Sequence, residues 1–105
     1  MIRRQMLLSA SRSADDFSGV FEFDGETAYF YLWRHRPQQV VSAIHVVSGK
    51  LPFVESEARI VWNTDEKKVG LVIRDQLWAV FDVSTGRADG GNYQEGARPP
   101  LLEFG

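Results

Sequence analysis

The chain has 105 residues, 44% of them hydrophobic and 12% aromatic, with a net charge of −2 and a pI of about 5.6. This is one domain's length with enough apolar residues for its own core, which excludes an intrinsically disordered segment. There is no cysteine, which excludes a disulfide framework and thiolate chemistry, and the acidic balance without a basic stripe argues against a nucleic-acid partner.

Met1-Ile2-Arg3-Arg4-Gln5-Met6-Leu7-Leu8 sets two arginines ahead of apolar residues, as a secretory signal does. The apolar run stops at Ser9-Ala10-Ser11-Arg12, so neither a signal of usable length nor a membrane span is expected. Residues 2–8 read as a short first strand and 9–16, small and polar, as a loop. With no cysteine and no export signal, a cytoplasmic location is expected.

The clearest local signal follows. Val20-Phe21-Glu22-Phe23 and Ala28-Tyr29-Phe30-Tyr31-Leu32-Trp33 flank Asp24-Gly25-Glu26-Thr27. Asp-Gly between aromatic and β-branched runs predicts a hairpin with a type I′ turn, because Gly tolerates positive φ. Pro37, which has no N–H to give a ladder, predicts a break over 34–39. Residues 40–47 are β-branched but ambiguous between a strand and a short helical turn leading into one.

A second meander follows at 57–62, 68–73 and 77–83, with turns at 63–67 and 74–76. Residues 84–100 carry Gly86, Gly90, Gly91, Gly96, Pro99 and Pro100 and read as loop. Leu101-Leu102-Glu103-Phe104-Gly105 closes the chain as a last strand or a frayed tail. The two meanders overlay with a period of about forty residues, the range of a propeller blade, but two copies cannot close a propeller.

Alternation gives each strand two faces. Ala28, Phe30 and Leu32 oppose Tyr29, Tyr31 and Trp33; Val69, Leu71 and Ile73 oppose Gly70 and Val72; Leu77, Ala79, Phe81 and Val83 oppose Trp78, Val80 and Asp82. The first face of each reads as core. The second is also apolar, so another part of the chain, a second subunit or a ligand must cover it.

Chemistry is sparse. No G-x-S-x-G elbow, P-loop or G-x-G-x-x-G occurs. His35 and His45 lack the companions of a zinc site, and His45 reads as a satisfied core or edge histidine. Whether a base, a nucleophile and an orienting carboxylate meet is a question the order of residues leaves open. The acidic clusters Glu22, Asp24, Glu26 and Asp65, Glu66 sit at hairpin turns, where such residues serve turn chemistry and solubility. Arg34-His35-Arg36 is either a solvated loop or a receptor for a phosphate or carboxylate.

At Phe21-Glu22-Phe23-Asp24-Gly25-Glu26-Thr27-Ala28-Tyr29-Phe30-Tyr31 the chain resembles a family of small bacterial proteins grouped as a domain of unknown function. Ala43-Ile44-His45, Ile60-Val61-Trp62 and Trp78-Ala79-Val80-Phe81-Asp82 fall in the order of that family. The resemblance covers about residues 19–90. It implies a bacterial source and a stand-alone small domain, and it carries no activity, cofactor or catalytic residue. The loop at 34–39 and the tail after 90 lie outside the match.

The expectation is therefore a single mostly β domain over 1–105, with an N-terminal strand and loop at 1–16 and a loop-rich tail at 91–105. An antiparallel meander sheet of six or seven strands would curl into a small barrel or a sandwich, with at most one short helix. The expected function is a protein-interaction module, self-associating or binding another protein through the aromatic face. The alternative is a small-ligand pocket near residues 29–36, between the sheet and the 34–47 segment. Neither an enzyme nor a cofactor or metal is expected, and the candidate residues are Tyr29, Tyr31, Trp33, Arg34, His35, Arg36 and Trp78.

Overall fold

The computed structural model describes residues 5–93 and 95–96. Eight strands run in chain order: β1 (Met6–Ser11), β2 (Phe17–Phe23), β3 (Thr27–Arg34), β4 (Gln39–Ser48), β5 (Ala58–Trp62), β6 (Lys68–Ile73), β7 (Gln76–Asp82) and β8 (Ala88–Gly90), with one 3-10 turn at Glu55–Glu57. They form two four-stranded antiparallel meanders, β1-β2-β3-β4 and β5-β6-β7-β8, which do not close into a barrel. The mostly β expectation holds, and of the barrel and the sandwich it is the second that forms.

Two strands and one turn type differ from the sequence reading, and one alternative it left open is decided. The first strand continues through Ser11, because Ser9 and Ser11 lie on the solvent side of β1, where polar residues cost nothing. Residues 39–48 are all strand, because β3 offers them a ladder that an isolated helical turn lacks. Residues 88–90 pair with β7 inside the expected loop. The Asp24-Gly25 hairpin forms, but only Gly25 takes positive φ (101°), as in the type II′ family rather than type I′. The Asp24 carboxylate accepts from the Glu26 and Thr27 amides, both at 2.8 Å, and braces that turn. The expected last strand at 101–105 lies outside the described residues.

The core lies between the sheets. Ala28, Phe30, Leu32, Val69, Leu71, Ile73, Ala79 and Phe81 are buried, as alternation predicts, and the Phe30 and Phe81 rings meet across the layers at 5.0 Å between centroids. The forty-residue repeat coincides with β2-β3-β4 and β5-β6-β7, one copy in each sheet, while β1 and β8 add a further strand to each.

A polar staple ties the layers at one end. Arg12, in the β1–β2 turn, donates to both carboxylate oxygens of Asp16 (2.6 and 2.8 Å) and to the Glu66 carbonyl in the β5–β6 turn (3.0 Å). The Ser13 amide and hydroxyl donate to the Glu66 carboxylate, and the Trp62 indole donates to the Ala10 carbonyl at 2.8 Å.

Candidate functional site

Antiparallel register decides which side chains share the outer face of the first sheet. Three cross-strand rows result: Leu7, Glu22, Tyr29, His45; then Ser9, Val20, Tyr31, Ala43; then Ser11, Ser18, Trp33, Val40. The β1–β2 and β3–β4 connections lie at the same end of this sheet. They are tied there by the His35 amide donating to the Asp16 carbonyl (2.9 Å) and Arg36 donating to the Asp15 carbonyl (2.8 Å).

On this face lies a cleft of about 650 Å³. Leu7, Ser9, Ser18 and Val20 line it from β1 and β2, Tyr31 and Trp33 from β3, and His35, Arg36 and Gln38 from the turn that follows. Its volume lies in the range of small-molecule sites. Ser18 and Val20 are buried although their strand face points outward, because the Tyr31 and Trp33 side chains stand beside them in register. That answers part of the question of what covers the apolar second face: the large rings of β3 shield the small residues of β2. In the second sheet, Val80 is likewise buried, between Gly70 and Asp89 in register.

A chain of hydrogen bonds runs through the cleft. The Ser11 and Ser18 hydroxyl oxygens are 2.7 Å apart, and Ser18 Oγ is 2.7 Å from His35 Nε2. On the other side of the ring, Nδ1 lies 3.3 Å from Asp15 Oδ1. The His35 side chain is only 17% exposed, whereas Asp15 and Arg36 stand at the rim. Asp15 takes a left-handed backbone (φ 56°), which an Asp tolerates better than most residues and which turns its carboxylate back toward the ring. Tyr31 donates a long hydrogen bond (3.4 Å) to Glu22; burial first, then the Glu22 charge and that bond, raise the phenol above its usual pKa.

Of the residues singled out from sequence, Tyr31, Trp33, His35 and Arg36 meet at this cleft. Tyr29 stands one row away, half exposed, with its ring edge-on to His45 at 5.4 Å; His45 in turn bonds Ser48, as expected of a satisfied edge histidine. Arg34 pairs instead with Gln39. Trp78 belongs to the other sheet and packs on Tyr93, 4.4 Å between ring centroids, so it does not extend the aromatic face. The 34–47 segment is not a wall opposite the sheet, because 39–48 is itself the sheet's edge strand.

Sequence reasoning passed over Asp15, Ser18, Ser9 and Val20. The register that makes these pairs is centred on Gly25-Glu26, which pairs Val20 with Tyr31 and Ser18 with Trp33; the Asp24-Gly25 type I′ turn read from sequence would have paired Val20 with Tyr29 and Ser18 with Tyr31. The link to Asp15 could not be counted, because it depends on how the 12–16 and 35–38 turns meet.

Residues 1–94 match the family described as an uncharacterised protein conserved in bacteria, DUF2251. The chain belongs to this family. An uncharacterised Haemophilus influenzae protein is 33% identical over 95 residues, covering 86% of this chain and 58% of that relative, so the chain spans little more than half the relative's length. No solved structure matches the chain. The family match takes in Ser18, His35, Asp15 and the whole cleft, including the 34–39 loop that the resemblance read from sequence left out.

Proposed function

We propose that this DUF2251 domain is a small-ligand binding domain, with its site in the cleft on the outer face of β1–β3. The observation that carries this reading is the cleft's construction. Tyr31 and Trp33 offer flat apolar surface, while His35, Arg36 and the serine hydroxyls offer polar groups at one end. Leu7, Val20, Tyr31 and Trp33 give the cleft its apolar wall and Ser9, Ser18, His35, Arg36 and Gln38 its polar groups, in about equal measure, a combination that fixes the orientation of a small molecule. The matching ligand has a planar body and one polar head.

The test is a thermal-shift screen of aromatic acids, esters and nucleosides against the wild type and Trp33→Ala. A ligand at a hundred times its dissociation constant adds about 2.7 kcal/mol to stability. Stabilisation of the wild type that Trp33→Ala loses supports the reading; uniform absence of stabilisation defeats it.

A second reading, self-association through the same face, is favoured by the exposure of Leu7 (65%) in the cleft wall, of Tyr29 beside the cleft and of Val40 and Val41 at the sheet's edge. Light scattering on a sizing column decides it. A dimer that Tyr29→Asp converts to monomer supports it, and a monomer at all concentrations removes it.

A further inference from the structure

We propose that Ser18 is a nucleophile activated by His35 and oriented by Asp15, and that the cleft cleaves small carboxylic esters. The inference rests on the ligand-site reading, because the ester must enter the same cleft, and it adds a reaction to it. The expectation that the chain is no enzyme rested on the absence of cysteine and of a G-x-S-x-G elbow, and it left open whether a serine, a histidine and a carboxylate meet; the fold brings Ser18, His35 and Asp15 together.

The warrant is connectivity. A hydrolytic triad is recognised by geometry and roles rather than by fold or chain order: a base between a hydroxyl and a carboxylate, using a different ring nitrogen for each. Here Nε2 of His35 is 2.7 Å from Ser18 Oγ, and Nδ1 is 3.3 Å from Asp15 Oδ1. The second distance is long, as such contacts often are without substrate. Asp15 holds the proton on Nδ1, leaving the Nε2 lone pair to accept from Ser18. The Ser11 hydroxyl then donates to Ser18 Oγ from the other side (2.7 Å). The scaffold is firm: the 12–16 turn carrying Asp15 is anchored by Arg12 to Asp16 and to the β5–β6 turn. Arg36 lines the same cleft, with its guanidinium held by the Asp15 carbonyl.

The reaction balances with water as the only co-reactant. Ser18 Oγ bonds to the ester carbonyl carbon as its proton passes to His35 Nε2. The carbon–oxygen bond to the alcohol breaks, and the departing oxygen takes that proton. Water, deprotonated at the same nitrogen, then attacks the acyl-serine, releasing the carboxylic acid and restoring the hydroxyl.

The experiment treats the full chain with a fluorophosphonate, followed by intact mass and peptide mapping, and follows 4-nitrophenyl acetate cleavage in parallel. One adduct per chain on Ser18 is expected. His35→Gln should slow both reactions by about a hundredfold or more and Asp15→Asn by about tenfold or more, given the size of such losses in known triads. No adduct, or an adduct on another residue, overturns the proposal. Mapping on the wild type decides the matter even if Ser18→Ala does not fold. Binding of 4-nitrophenol, read by NMR at the Trp33 indole, separates the two readings. Binding without an adduct removes the chemistry and keeps the ligand site, and neither binding nor adduct removes both.

Discussion

Gly19 lies on the inward face of β2, where side chains of the second sheet approach its backbone. A Cβ there would sit 2.6 Å from Val69 Cγ2 and 2.9 Å from Ile60 Cγ2. Both neighbours are β-branched and stiff at χ1, so neither can step aside cheaply. Gly19→Ala should lower stability by about 1–3 kcal/mol, seen as a lower urea midpoint with an unchanged slope. Gly91 is tighter still: it has a positive φ of 126°, and a Cβ would meet Ile44 Cγ2 at 1.9 Å. Burial and exposure at this scale follow from alternation. Phe30 is dry and Tyr29 is half wet because neighbouring positions on a pleated strand point to opposite faces.

Turns and their partners act at the scale of elements. The β6–β7 turn puts both central residues, Arg74 (φ 51°) and Asp75 (φ 64°), in the left-handed region, where a type I′ turn requires them and most side chains are disfavoured. Arg74 is held by Glu57 (2.9 Å) and the Pro52 carbonyl (3.1 Å), whereas Asp75, among the described residues, makes an exposed pair with Arg59. Asp75→Gly should therefore raise the melting temperature, by relieving about 0.5–1 kcal/mol of strain at the loss of a weak surface pair. The strand at 39–48 shows why this scale resisted sequence reading. Val40, Val41, Ile44, Val46 and Val47 suit a strand, yet Val40 and Val41 are exposed at the edge and follow no clean alternation. Register shifts between β3 and β4, at Ala28/Tyr29 and Leu32/Trp33, disturb the period that would have marked the strand.

At the scale of the molecule, the two sheets are joined by hydrophobic contact and by the polar staple around Arg12. Trp62→Phe keeps the ring beside Arg12 but removes the indole donor to the Ala10 carbonyl, and chemical denaturation should register a loss of about 1 kcal/mol. Acid should loosen the same end. The hydrogen bond from Arg12 lowers the pKa of Asp16, and those from Ser84, followed by Thr85, lower that of Asp82. A carboxylate whose folded pKa lies below its unfolded one stabilises the fold above the unfolded value and loses that contribution as pH falls through the folded value. The urea midpoint should be flat from neutral pH to about 5 and fall below about 4, the range in which such groups titrate. Asp16→Asn should lower the midpoint at neutral pH and flatten the acid slope; an unchanged profile would detach Asp16 from the staple's stability.

The sequence by itself determined the β class, most of the strands, the inward faces and the aromatic row of β3, because those depend on alternation and on short-range turn chemistry. It also marked Tyr31, Trp33, His35 and Arg36, because large aromatic and basic side chains stand out wherever they occur. The pairing of two four-stranded sheets, the strand at 88–90 and the meeting of Asp15, Ser18 and His35 were decided only by tertiary structure. Ser18 precedes His35 by a whole hairpin, and Asp15 stands in the turn just ahead of Ser18. Only the antiparallel return of β3 along β2, with the 12–16 and 35–38 turns tied at one end of the sheet, brings these ordinary residues within hydrogen-bonding reach.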